Sequence, residues 1–172
     1  MRRSAGIVLG LVVFALARPG IAAGLLRVGD AFPAWTLVDQ TSATVTSTEL
    51  AGKTYLVWFY PKAQTPGCTA EGRGLRDRTA DFGARGIEIV GVSFDTPADN
   101  AAFAKAEGFP FRLLSDRDRT LARAVGAADT SDAPVARRIS YLVGPDGTVR
   151  HVYGIVTPAT HASDVLADVP GS

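Results

Sequence analysis

Six consecutive apolar residues, Tyr55-Leu56-Val57-Trp58-Phe59-Tyr60, constrain this chain more than any other feature. A strand with one wet face alternates apolar and polar side chains, so a run that is apolar throughout implies a strand buried on both faces of a sheet. Pro61 ends it, because proline brings no donor to the ladder. Pro66 suits the first position of a helix and Thr65 before it is a good N-cap. Cys68, the only cysteine, then falls in the first turn of a helix expected to run to Gly86, with Leu75 and Phe82 on its inner stripe. Unpaired backbone N–H groups and the helix dipole favour an anion there, and the thiolate is the reactive form of cysteine. The plainer reading, a lone cysteine as a small buried hydrophobe, stands beside this one.

The remaining chain alternates strands and helices. Leu25 to Asp30 reads as an entry segment, followed by a short strand at Trp35–Val38 and a hairpin partner at Thr44–Thr46. Ile87–Phe94 returns as a second buried strand. Thr96-Pro97-Ala98-Asp99 is a capping-box start for a helix that stops at Gly108. Phe111–Leu114 reads as a strand, and Ser115-Asp116-Arg117-Asp118 opens a helix ending at Gly126. Residues 127–136 read as a loop, Arg138–Val143 and Thr148–Tyr153 as a hairpin about Pro145-Asp146-Gly147, and Pro158–Asp168 as a final helix. This is the pattern of an α/β layer fold. Gly72 and Gly74 sit inside the helix after Cys68, each unfavourable by about 1 kcal/mol against alanine. Either they ease local opening beside a functional group, or they permit close packing.

A chain of 172 residues, 47% hydrophobic, carries one domain with a proper core. Its start is different in kind: Arg2 and Arg3 precede the uncharged apolar run from Ala5 to Ala17, interrupted by Arg18-Pro19-Gly20. That run is shorter than the roughly 20 residues of a membrane span. We read residues 1–23 as a signal peptide, with an uncleaved anchor as the alternative, and 24–172 as the single domain. Export to the periplasm or beyond is therefore expected, with membrane contact only if the leader is retained. Without residues 1–23 the chain has 15 basic residues, three arginines fewer than its full 18, against 17 acidic ones. That balance offers no basic face for nucleic acid. One cysteine in an exported chain makes no internal disulfide and is a free or intermolecular thiol.

The spacing Pro61, Thr65, Cys68 resembles the active-site signature of the peroxiredoxins. The longer run Phe59-Tyr60-Pro61-Lys62, Thr65-Pro66-Gly67-Cys68-Thr69 and Leu75-Arg76-Asp77 is similar to the peroxiredoxin Q branch, also called bacterioferritin comigratory protein. Leu113-Leu114-Ser115-Asp116 and Arg138-Ile139-Ser140-Tyr141-Leu142 extend the likeness, which covers about residues 25–168. It implies a thioredoxin-like fold with added N-terminal strands. It further implies a thiol-dependent peroxidase acting on hydrogen peroxide and small organic hydroperoxides, without cofactor or metal. In such a site Cys68 is the nucleophile, the Thr65 hydroxyl stands beside the sulfur while capping the helix, and Pro61 shields the thiolate. The residues alone do not choose a cation among fifteen arginines; the resemblance points to Arg138, with Arg137 on the opposite strand face.

The chain departs from that branch at Arg73, where many members carry a resolving cysteine five residues after the nucleophile. A one-cysteine cycle follows, with an external thiol or thioredoxin-like protein as reductant and a monomer or weak dimer as the working form. Glu71 is expected to serve the helix dipole or a salt bridge, Trp35 and Trp58 the core, and His151 and His161 the surface or the hairpin. With only two histidines and one cysteine, no metal ligand set stands out. Two other functions are compatible with the sequence. A thioredoxin-like thiol–disulfide oxidoreductase is weakened because Cys68-Thr69-Ala70-Glu71 lacks the second cysteine of C-x-x-C. A non-catalytic binding module of the same fold is the other.

Overall fold

The computed structural model describes residues 24–169, so the predicted leader lies outside the described residues. Seven strands form one mixed sheet in the order β2-β1-β5-β4-β3-β6-β7. They are β1 (Thr36–Asp39), β2 (Thr44–Thr46), β3 (Thr54–Phe59), β4 (Ile87–Ser93), β5 (Arg112–Ser115), β6 (Ile139–Val143) and β7 (Val149–Tyr153). The β3–β4 and β4–β5 pairs are parallel, and the other pairs are antiparallel.

The central strand β3 explains why its sequence is apolar throughout. Tyr55, Val57 and Phe59 enter one core with Val90, Val92, Leu121 and Tyr141. Leu56, Trp58 and Tyr60 enter a second core with Leu75, Phe82, Phe103 and Val165. Alternation along the strand sends successive residues to opposite faces, and here both faces are dry. The second core lies beneath α1 (Pro66–Asp77), α2 (Thr79–Ala84), α3 (Pro97–Glu107) and α5 (His161–Asp168), while α4 (Thr120–Ala124) covers the first. The α/β, thioredoxin-like class predicted from the sequence is the class observed, with β1 and β2 as the N-terminal additions.

Local signals acted where expected in α3. Thr96 accepts the Asp99 N–H, the Asp99 side chain answers the Thr96 N–H, and Gly108 ends the helix at φ +64°. The helix expected from Pro66 to Gly86 is instead two, broken at Arg78. The Thr79 hydroxyl donates back to the carbonyls of Leu75 and Arg76, which bends the chain there. Leu75 and Phe82 still reach the same core from separate helices. The final helix starts at His161, three residues later than expected, after a turn closed by the Thr160 N–H on the Thr157 carbonyl.

Gly72 is a packing glycine. A Cβ there would stand 2.4 Å from Phe109 Cζ. That ring is hemmed in edge-on by Phe103 at 4.9 Å and stacked by Phe111 at 5.1 Å. A Cβ at Gly74 would meet only Ala162 Cβ, at an ordinary 3.8 Å. Gly72→Ala is therefore expected to lose about 1–3 kcal/mol through overpacking, whereas Gly74→Ala should gain up to about 1 kcal/mol of helix propensity. Urea denaturation of the two variants checks this, and equal shifts in midpoint would refute it.

Candidate active site

Chain geometry carries Cys68 from the end of β3 to the head of α1. The Tyr60 N–H continues the ladder onto the Val92 carbonyl at 3.1 Å, and its hydroxyl donates to Asn100 Oδ1 at 2.7 Å. Pro61 then leaves the sheet, half-buried. The Ala63 N–H donates to Asp95 Oδ2 at 2.8 Å, pinning the loop to the corner after β4. Gln64 takes a left-handed φ of +62° and turns the chain into the helix. Cys68 follows in the first turn, 0% exposed.

Arg138 meets the sulfur from the residue just ahead of β6, the strand that pairs with β3. Its Nη2 donates to Cys68 Sγ at 3.4 Å, and its Nη1 forms an ion pair with Glu71 Oε2. Burial opposes the Arg138 charge, but the bonds to Cys68 and Glu71 outweigh it and hold the guanidinium above its ordinary pKa. Gly67 makes room for this arm, since a Cβ there would stand 3.0 Å from Nη2. Arg137 turns away, pairing with Asp129 Oδ2 at 2.5 Å and the Gly126 carbonyl at 3.2 Å. The two arginines diverge as expected, although both lie in the loop just ahead of β6 and not on the strand itself.

Glu71 lies one turn past Cys68 on α1 and is 0% exposed. Its burial raises its pKa, and Arg138 then works to lower it. Trp58 also favours the charged form, although the indole Nε1 and Glu71 Oε1 fall outside hydrogen-bond geometry. A salt-bridge role was expected for this residue; its complete enclosure was not.

Two expectations need correction. Thr65 occupies the N-cap position with extended backbone, but its side chain makes no cap bond. The hydroxyl donates instead to the Lys62 carbonyl at 2.9 Å, because the turn at Gln64 folds that carbonyl beneath it. Its lone pairs are what remain for a ligand. His161 is not a surface residue: it is 2% exposed, with Nε2 at 2.9 Å from Ser140 Oγ and 3.8 Å from Glu71 Oε1. Burial pushes its pKa down to about 4, so the ring is neutral near pH 7. His151 does remain half-exposed on the hairpin, and Trp35 and Trp58 are core residues. Arg73 is exposed and pairs with Glu107 at 2.6 Å.

A surface groove of about 460 Å³ between Glu49, Lys53, Glu88 and Arg112 lies at the opposite ends of β3 and β4, remote from the cysteine. Its charges are already paired, Lys53 with Glu88 and Arg112 with Glu49. The chemistry belongs to the enclosed thiol: a nucleophile under a helix N-terminus, a guanidinium on its sulfur and a buried carboxylate behind that guanidinium.

This fold and site define a thioredoxin-like protein built around one reactive thiol. Residues 28–152 match the model of the AhpC/TSA family. Peroxiredoxin Bcp of Escherichia coli is 36% identical over 148 residues, covering 82% of this chain and 94% of that protein. Chloroplastic peroxiredoxin Q of Gentiana triflora is 35% identical over 139 residues, covering 80% and 64%. The crystal structure of peroxidoxin BcpB from Mycobacterium tuberculosis superposes with a TM-score of 0.78 at 29% identity, covering 84% of this chain and 96% of that one. The chain belongs to the AhpC/TSA family and is a peroxiredoxin of the Bcp and Q kind, with one cysteine and no resolving partner.

Proposed function

We propose that this chain is a thiol-dependent peroxidase that reduces hydrogen peroxide and small organic hydroperoxides through Cys68 and is recycled by an external thiol. The carrying observation is the Arg138 guanidinium, shared between the Cys68 sulfur and the buried Glu71 carboxylate. It gives the sulfur a charged donor and stands ready to donate where negative charge develops on the leaving oxygen. The thiolate attacks one peroxide oxygen, an S–O bond forms, and the O–O bond breaks. The other oxygen departs as hydroxide or alkoxide and takes up a proton. Thr65 offers lone pairs to the peroxide proton, and Pro61 keeps water from the sulfur. Because Cys68 is wholly enclosed, a two-oxygen electrophile is a better first partner for it than a protein disulfide.

The product is a sulfenic acid. One external thiol condenses with it, releasing water and forming a mixed disulfide. A second thiol then restores Cys68 and leaves as the disulfide. For either to reach the sulfur, the first turn of α1 must open locally. Arg73 stands where a resolving cysteine would, so this step has no partner within the chain. One equivalent of peroxide without thiol is expected to give a monomer heavier by a single oxygen, and excess peroxide to add more. Intact-mass analysis reads both. A Cys68–Cys68 dimer as the main product would replace this cycle with an intermolecular one, and failure to consume peroxide while reducing protein disulfides would favour the oxidoreductase reading.

Residues 1–23 support export, through their paired arginines, uncharged apolar run and small-residue sites. The reductant is then a small thiol or thioredoxin-like protein of the periplasm or exterior, and the enzyme acts as a monomer or weak dimer.

A further inference from the structure

His161 joins the site through contacts that the reaction at Cys68 does not itself use. Its Nε2 stands 2.9 Å from Ser140 Oγ and 3.8 Å from Glu71 Oε1. That carboxylate oxygen is buried and has no hydrogen-bond partner among the described residues, while its sibling Oε2 holds Arg138. The other arm of Arg138 lies on Cys68 Sγ. One guanidinium thus serves two anions, and each draws on charge the other uses.

We infer that His161 is a positioning residue for peroxide reduction: its uncharged imidazole faces the unpaired oxygen of Glu71, keeps that carboxylate ionised on Arg138, and so holds the guanidinium on the sulfur. The inference rests on the peroxidase reading of Cys68. The titratable and charged groups around the ring are Glu71 from α1, Arg138 ahead of β6, Tyr153 from β7 and Asp164 from α5 itself. Burial and Arg138 disfavour an imidazolium here, against the pull of Asp164. With Nε2 protonated, the neutral ring donates to Ser140 Oγ at 2.9 Å and turns the positive end of the same N–H dipole toward Glu71 Oε1 at 3.8 Å, with no hydrogen bond to it. It adds no second cation to compete with Arg138.

Removing that dipole leaves Arg138 and Trp58 alone to oppose the burial of Glu71, so the carboxylate takes up a proton at higher pH than in wild type. Two effects of opposite sign follow. One anion fewer shares Arg138, whose charge is then left to the sulfur, and alkylation speeds up. Arg138 loses its ionic anchor, and peroxide is aligned less well. A residue that merely seats α5 would not split the two.

The test compares reduced full-length wild type, His161→Leu, Glu71→Gln and the double variant across mildly acidic to mildly alkaline pH. It follows peroxide consumption and Cys68 alkylation by iodoacetamide. A Glu71 titration raised by the loss of His161 predicts slower peroxide consumption together with faster alkylation in His161→Leu at the acidic end of the range. That variant should approach Glu71→Gln toward the acidic end and wild type toward the alkaline end. Adding His161→Leu to Glu71→Gln should change neither readout, and His161→Gln, which keeps a donor, should return the wild-type profile. If the leucine variant does not fold, His161→Asn, whose side chain is too short to reach Oε1, carries the same comparison. Rates scaled by one factor at every pH, or an equal effect in the Glu71→Gln background, would overturn the inference. A wild type that consumes no peroxide would overturn the peroxidase reading instead, and the alkylation profiles would still decide the role of His161.

Discussion

Cys68→Ser is expected to fold and to lose peroxide consumption by at least about a thousandfold, the scale seen when an enzyme loses its only nucleophile. The serine hydroxyl is nearly the same size as the thiol and can accept the bond from Arg138 Nη2, so the packing under α1 is retained. What disappears is an ionisable, soft nucleophile, since a hydroxyl stays protonated at neutral pH. No second cysteine exists to substitute for it. Peroxide consumption by stopped flow, with circular dichroism to confirm folding, decides the matter. More than trace activity in the serine variant would end the thiol mechanism.

Arg138→Ala is expected to slow the reaction with peroxide about a hundredfold, on the order of 3 kcal/mol for one charged hydrogen bond to the transition state. Arg137→Ala should change it only slightly, because its pair with Asp129 is exposed and such pairs contribute about 0–1 kcal/mol. The alanine at 138 has a second effect that must be separated from the first. It leaves the buried Glu71 carboxylate without its cation, which in general destabilises by about 3–5 kcal/mol. Arg138→Ala combined with Glu71→Gln removes that unpaired charge and should recover stability while remaining slow. Equal rates for the 137 and 138 variants, or recovery of activity along with stability in the double variant, would contradict the catalytic assignment of Arg138.

The sequence was informative wherever a signal is local. The apolar run of β3 announced a strand dry on both faces, and the two cores divide its residues by alternation. Pro66 and Thr65 located the head of α1, and with it the place of Cys68. The capping box at Thr96 and the turn at Asp146-Gly147 also act through residues a few positions apart. The peroxidatic stretch was legible for the same reason: its residues are neighbours in the chain. Arg138 was chosen by resemblance, since nothing local distinguishes one arginine of fifteen.

What the sequence left open depends on partners distant in the chain. Gly72 is fixed by Phe109, a residue of the α3–β5 connection, and no helix-propensity argument sees that ring. Thr65 is the local exception: it is a good cap by type, yet the left-handed turn at Gln64 gives its hydroxyl to Lys62, three residues back. His161 carried no local mark. A histidine at the start of an amphipathic helix looks like surface, and only the docking of α5 against β6 and α1 encloses it beside Glu71. The chain order therefore determined the nucleophile and the strand that presents it. The environment that sets the charges around that nucleophile was decided by tertiary packing, because burial and through-space pairing are properties of the assembled layers and not of any one segment.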